Sequence, residues 1–268
     1  MSIDRILKRT EIIQPLIHNL KPLSYIHSFY EGGAAAFRRI DKWSDIDLYL
    51  IVDDDKIEET FLAFEKTLES LSPIKQKYEV KHPESTGLYQ SFYKLEYADD
   101  YHMIDLAVMK MSSSEKFLEP EIHGDVVFYF NKLNEIKPSP LKKNEFIIKA
   151  TKRLNRIQEN FNMFNNLVQK EINRGNHLEA IDLYHNLTLG ALVEVLRMKH
   201  NPVHHGFKMR YIHYELPSKS IKKLKSLYFV KDETELQKKY SKAIKWFTEL
   251  ISEIDETKIR KNMQISSS

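Results

Sequence analysis

The chain has 268 residues, enough for one or two compact domains, and its composition of 42% hydrophobic and 29% charged residues is that of a folded globular protein. It has no cysteine, which excludes a disulfide framework, thiolate zinc or iron–sulfur ligation and a cysteine nucleophile. The formal charge of +3 conceals an asymmetry, because residues 1–140 carry a net −7 and residues 141–268 a net +10. The N-terminus lacks the apolar core of a signal peptide and no window has the eighteen or more apolar residues of a membrane span, so the expectation is a cytoplasmic protein with no membrane partner.

Ile3, Ile6, Leu7, Ile13, Leu16, Ile17 and Leu20 recur at helical spacing, predicting an amphipathic helix over residues 3–20 that Pro22 stops. Residues 24–30 read as an aromatic-rich strand running into Glu31-Gly32-Gly33, a tight turn, and Ala34, Ala35 and Ala36 favour a short helix. Asp45-Ile46-Asp47-Leu48 then opens a nearly continuous apolar run to Val52, a central strand with two acids at its start. Phe61, Phe64, Leu68 and Leu71 place an apolar stripe on a helix over about 55–71, and three strands are expected at 75–81, 90–97 and 102–109.

Pro138 and Pro140 interrupt the pattern, and strand signals largely vanish beyond residue 143. The boundary is therefore set between a domain at 1–140 and a helical domain at 141–268, with helices over about 143–173, 178–199, 218–228 and 232–256. Residues 259–268, polar and ending in serines, are expected to fray.

The chemistry concentrates in Gly32-Gly33-Ala34, followed twelve residues after Gly33 by Asp45. Residues i and i+2 of a strand share a face, so Asp45 and Asp47 present two carboxylates about 7 Å apart along the chain. Such like charges call for a cation, and Mg²⁺ takes oxygen ligands from one or two carboxylates together with substrate phosphates. Asp105, embedded in the apolar strand Ile104–Val108, is a third acid that needs a partner. If its strand neighbours Ile46–Val52, the three acids can hold two metals for in-line phosphoryl displacement. The glycine turn at a helix start offers unpaired N–H groups to a triphosphate.

These residues resemble the nucleotidyltransferase fold of the DNA polymerase beta superfamily. More narrowly, they resemble the bacterial two-domain branch of aminoglycoside and lincosamide nucleotidyltransferases. The resemblance covers residues 25–109 and extends more weakly to Arg174-Gly175-Asn176 and to residues 206–217. It implies an α+β protein with a mixed sheet flanked by helices, followed by an α-helical bundle that binds the acceptor. It also implies Mg²⁺-dependent transfer of a nucleoside monophosphate, AMP from ATP in the first instance, to a hydroxyl of a small molecule such as an antibiotic, with pyrophosphate released. By position, Asp45, Asp47 and Asp105 are the metal ligands for two Mg²⁺ ions, and Gly32, Gly33 and Ala34 hold the phosphates, with Ser44 and Arg38 assigned beside them.

Two departures stand out. Ala34 replaces the usual serine and Arg38 stands where glycine is common, which weakens ordinary nucleotide binding unless Arg38 or Arg39 pairs with a phosphate. A nucleotide-binding regulatory or toxin–antitoxin module with little catalysis is therefore the alternative. Glu179 and Asp182 lie on one bundle helix, and either is a candidate general base, with Glu179 the one assigned. Around one loop, His200, His204, His205 and His213 are read as solvated or substrate-facing rather than as zinc ligands, because no His-Glu-x-x-His spacing occurs. Nucleic acid is not an expected partner, although the basic second half keeps an RNA-end nucleotidyltransferase as a third reading. A homodimer is an arrangement that the resemblance allows.

Overall fold

The computed structural model describes residues 6–265, which fall into two compact units, Met1–Pro140 and Leu141–Ser268. Ile3, at the predicted start of the first helix, and the predicted fraying serines 266–268 lie outside the described residues.

The first unit runs α1 (Arg9–Leu20), β1 (Ile26–Glu31), α2 (Gly33–Ala36), β2 (Ile46–Val52), α3 (Ile57–Leu71), β3 (Ile74–Val80), β4 (Leu88–Leu95), β5 (Ile104–Lys110), α4 (Pro120–His123) and β6 (Val127–Asn131). The strands form one mixed sheet in the order β3-β4-β5-β2-β1-β6, in which β2 and β5 are parallel and the other pairs antiparallel. The first helix begins later than its apolar spacing predicts. Leu7 instead makes an isolated bridge to Ala98, its N–H donating to the Tyr97 carbonyl (2.7 Å), and Lys8 N donates to the Glu11 carboxylate (2.9 Å) where the helix starts.

Strand alternation sorts the core of this unit onto the two faces of the sheet. Leu48, Leu50, Leu106 and Val108 pack under Ile12 and Leu16 of α1 and Phe64 and Leu68 of α3. On the opposite face Tyr30, Ile51 and Met109 meet Leu118 and Ile136 from the segment after β5. Strand β6 is absent from the sequence expectation; it is short, has one buried residue in five (Phe130), and exists because it pairs with β1.

The second unit comprises α5 (Lys143–Phe164), α6 (Asn166–Arg174), α7 (His177–Leu183), α8 (Gly190–His200), α9 (Ile212–Glu215), α10 (Ser218–Tyr228), α11 (Glu233–Ser252) and α12 (Glu256–Ile265). The single helix expected over 143–173 breaks at Asn165, where a buried polar knot forms. Its side-chain amide donates to the Tyr240 hydroxyl (3.0 Å), that hydroxyl donates to the Asn165 carbonyl (2.7 Å), and Thr188 donates to the Asn165 side-chain oxygen (2.6 Å). Helices α7 and α8 are joined through a π-helical turn, Tyr184–Leu189, in which Tyr184 donates to the Leu227 carbonyl (3.1 Å). The predicted fraying is corrected over 259–265, because α12 buries Ile259 and Met263 against the unit.

Candidate active site

Parallel pairing of β2 with β5 brings the acids to one end of the sheet. Asp47 and Asp105 are register partners, so their side chains leave the same face of adjacent strands, and Asp45 precedes β2 by one residue. Asp105 is half-buried, and its Oδ1 accepts a hydrogen bond from Gln90 Nε2 on β4 (2.7 Å). Burial raises its pKa above the ordinary aspartate value; the Gln90 bond opposes that shift, and the charge of Asp45 adds to it.

The glycine turn closes the site from β1. Gly32 N donates to the Asp47 carbonyl (3.0 Å), and a Cβ on Gly32 would come 2.7 Å from the ring of Tyr49. Gly33 has φ +51° and lies so close to the Asp47 side chain that a Cβ there would overlap the carboxylate. The N–H groups of Gly33 and Ala34 donate to no acceptor among the described residues. Arg38 also adopts a left-handed conformation, φ 54°, which gives the glycine of the resembled pattern a physical reason. Its guanidinium is exposed, 3.8 Å from exposed Asp125. Ser44 is engaged locally, donating to Asp41 Oδ1 (3.0 Å) and accepting from Asp41 N (2.9 Å), which fixes the turn into β2.

Arg9, Glu31 and Tyr129 escape the sequence reading. Glu31, the last residue of β1, is buried, and it pairs with Arg9 of α1 while accepting a hydrogen bond from the Tyr129 hydroxyl of β6. Arg9 also donates to the Asp45 carbonyl (2.6 Å). Burial lowers its pKa, and the Tyr129 phenol together with Asp47 and Asp45 oppose that shift. An arginine thus ties the glycine turn to the first acid. The available signal was Glu31 itself, a charge at the end of an apolar strand that needs a cation.

The all-oxygen donor set of Asp45, Asp47 and Asp105 suits Mg²⁺, and the missing Cβ at Gly33 leaves the room that the Asp47 carboxylate occupies. The three aspartates are not drawn as close as ligands around one ion. The group whose ligand atoms lie within 4.8 Å of one another is a different one, Glu115, Glu119 and His123, among the described residues.

In the helical unit a cavity of about 700 Å³ is lined by Arg153, Asn165, His185, Glu194, His205 and Lys208 among others. Glu194 sits in it with its pKa held down to about 2. Burial alone would raise it, but Arg153 donates to both oxygens (2.7 and 2.8 Å) and His205 Nδ1 lies 3.2 Å away. Beside the cavity, the wholly buried Arg197 donates to the carbonyls of Lys208 (2.7 Å) and Arg210 and to the Glu215 carboxylate (2.6 Å). Glu215 also meets His204 Nδ1 at 2.9 Å. His204 and His205 therefore sit on carboxylates, and the predicted candidate base Glu179 is exposed on α7.

A mixed sheet that carries paired aspartates beside a glycine turn, followed by a helical unit, defines a nucleotidyltransferase. The model of the streptomycin adenylyltransferase family matches residues 12–264, and the chain belongs to that family. It is thus an enzyme of the adenylyltransferase type, and the non-catalytic module is not favoured. Among solved structures it is similar to an aminoglycoside 6-adenyltransferase from Bacillus subtilis, at 16% identity over 97% of this chain and 92% of that one, with a TM-score of 0.36. It is also similar to a spectinomycin adenyltransferase from Enterococcus faecialis solved with ATP and spectinomycin, at 10% identity over 97% and 100% of the two chains, with a TM-score of 0.34. Family membership rests on the residue match and not on these overlays. No curated protein sequence matches the chain.

Proposed function

We propose that the protein transfers AMP from ATP to a hydroxyl of an aminoglycoside-like antibiotic and releases pyrophosphate. The observation that carries this reading is the in-register pair Asp47 and Asp105 beside Gly33, within a chain that the adenylyltransferase family model covers almost end to end. Asp45, Asp47 and Asp105 would hold two Mg²⁺ ions, which when bound neutralise phosphate charge and make a nearby hydroxyl more acidic. The N–H groups of Gly33 and Ala34 face the triphosphate, with Gly32 setting the turn, Arg38 at its rim and Ser44 steadying the entry into β2. The acceptor oxygen attacks the α-phosphorus, the bond from that phosphorus to the bridging oxygen of the β-phosphate breaks, and pyrophosphate leaves. The hydroxyl proton passes to a carboxylate, for which Glu179 is the candidate.

We assign the 141–268 unit to acceptor recognition. The test is incubation of the full chain with α-labelled ATP, Mg²⁺ and a panel of streptomycin, spectinomycin, other aminoglycosides and lincosamides. Label transfer with pyrophosphate release above an Asp45→Asn control supports the proposal. Absence of both across the panel overturns it.

A further inference from the structure

We propose that His82 and Gln90 form a positioning relay that fixes the rotation of the Asp105 carboxylate and keeps one of its oxygens open for a divalent ion. The inference rests on the reading of Asp105 as a metal ligand, and it concerns two residues outside the aspartate and glycine motifs.

The hydrogen-bond directions fix one another. Asp105 Oδ1 is 2.7 Å from Gln90 Nε2, and an ionised carboxylate can only accept, so the amide nitrogen must face it. That orientation turns Gln90 Oε1 toward His82 Nε2, 3.0 Å away. A carbonyl oxygen also only accepts, so His82 carries its proton on Nε2. Hence the imidazole selects the amide orientation, and the amide selects which carboxylate oxygen is occupied. Asp105 Oδ2 accepts no hydrogen bond among the described residues and is the oxygen left for ligation.

The backbone supports the chain at each step. Gln90 on β4 is paired with Ala107, two residues beyond Asp105 on β5, so both side chains rise from the same sheet face. His82 lies two residues beyond the end of β3 and precedes Pro83, whose φ of −59° fixes the course of the turn. Partners of this kind orient metal-ligating side chains, and their loss typically costs about 10- to 100-fold in metal affinity.

The experiment titrates the full chain with Mn²⁺, followed by electron paramagnetic resonance, and compares the parent with Gln90→Leu, His82→Phe and His82→Gln. Gln90→Leu and His82→Phe are expected to weaken Mn²⁺ binding by about 10-fold or more. His82→Gln, whose amide can donate to Gln90, is expected to restore most of the loss, with melting temperatures close to the parent's throughout. Independently of any variant, nitrogen NMR of the parent should find the His82 Nε2 carrying a proton. Equal Mn²⁺ binding by the parent and Gln90→Leu, or a His82 without a proton on Nε2, overturns the relay and leaves the metal site standing. A parent that binds Mn²⁺ no better than Asp45→Asn overturns the metal-site reading and the relay with it.

Discussion

Gly33 and Asp47 are packed so closely that a single methyl group on the glycine would occupy the space of the aspartate's carboxylate. Two constraints coincide at this position, because its φ of +51° is also unfavourable to any side chain. Gly33→Ala should lose about 1–2 kcal/mol of stability from the backbone alone. It should also lower adenylyl transfer at least tenfold by displacing Asp47. Thermal melts and transfer assays separate the two effects, and a fully active Gly33→Ala enzyme would show that this contact does not set the geometry of the site.

At Arg38 the same backbone argument has the opposite sign. Its φ of 54° carries a strain that glycine relieves, and its side chain makes one long, exposed ion pair. Arg38→Gly should raise stability by up to about 1 kcal/mol, the left-handed penalty less the greater flexibility of glycine. Urea denaturation measures this. If nucleotide affinity falls at the same time, Arg38 contacts phosphate as proposed.

Asp105 has a folded-state pKa raised by burial and by Asp45, against the bond from Gln90. A raised carboxylate pKa means that the fold favours the protonated form, so this contribution is present at low pH and is lost as pH rises through the folded value. Asp105→Asn, neutral at every pH, should therefore melt no lower than the parent at pH 7 without metal, while transfer falls by at least about 100-fold. Calorimetric melts beside pyrophosphate assays check both halves. A large drop in melting temperature would make Asp105 a structural residue.

Glu194 behaves in the opposite way. Its pKa is depressed from 4.5 to about 2, so its contribution is full above 4.5 and is lost as pH falls through about 2. Arg153, which holds it, is 43% exposed, so solvent screening reduces the value of the pair to about 1 kcal/mol. Arg153→Met should flatten the acid limb of the stability curve between those values. Denaturation midpoints measured across pH 2–5 decide it, and an unchanged curve would remove the pair's role.

Arg197 is the most consequential buried charge of the helical unit, with no exposed surface and three acceptors. Arg197→Met leaves Glu215 and two carbonyls without it, and should cost about 3–5 kcal/mol. Urea unfolding and proteolysis within 201–217 report the loss. Retained stability would mean that His204, also on Glu215, suffices.

Much of this architecture follows from local sequence. Helical spacing, strand alternation and the prolines near residue 140 announce most elements, and the Gly32-Gly33 turn with Asp45 and Asp47 marks the candidate site, because each depends on neighbours a few residues away, whereas Asp105 joins them only through the pairing of β5 with β2. What only tertiary structure decides depends on partners distant in the chain. Strand β6 forms because β1 offers it an edge; the helix at 143–173 breaks because Tyr240 and Thr188 converge on Asn165; and residues 259–265 stay helical because Ile259 and Met263 find a core. Arg9 reaches the site from 36 residues before Asp45, and Gln90 reaches Asp105 from the neighbouring strand. Such contacts are set by sheet order and register, which no local periodicity encodes.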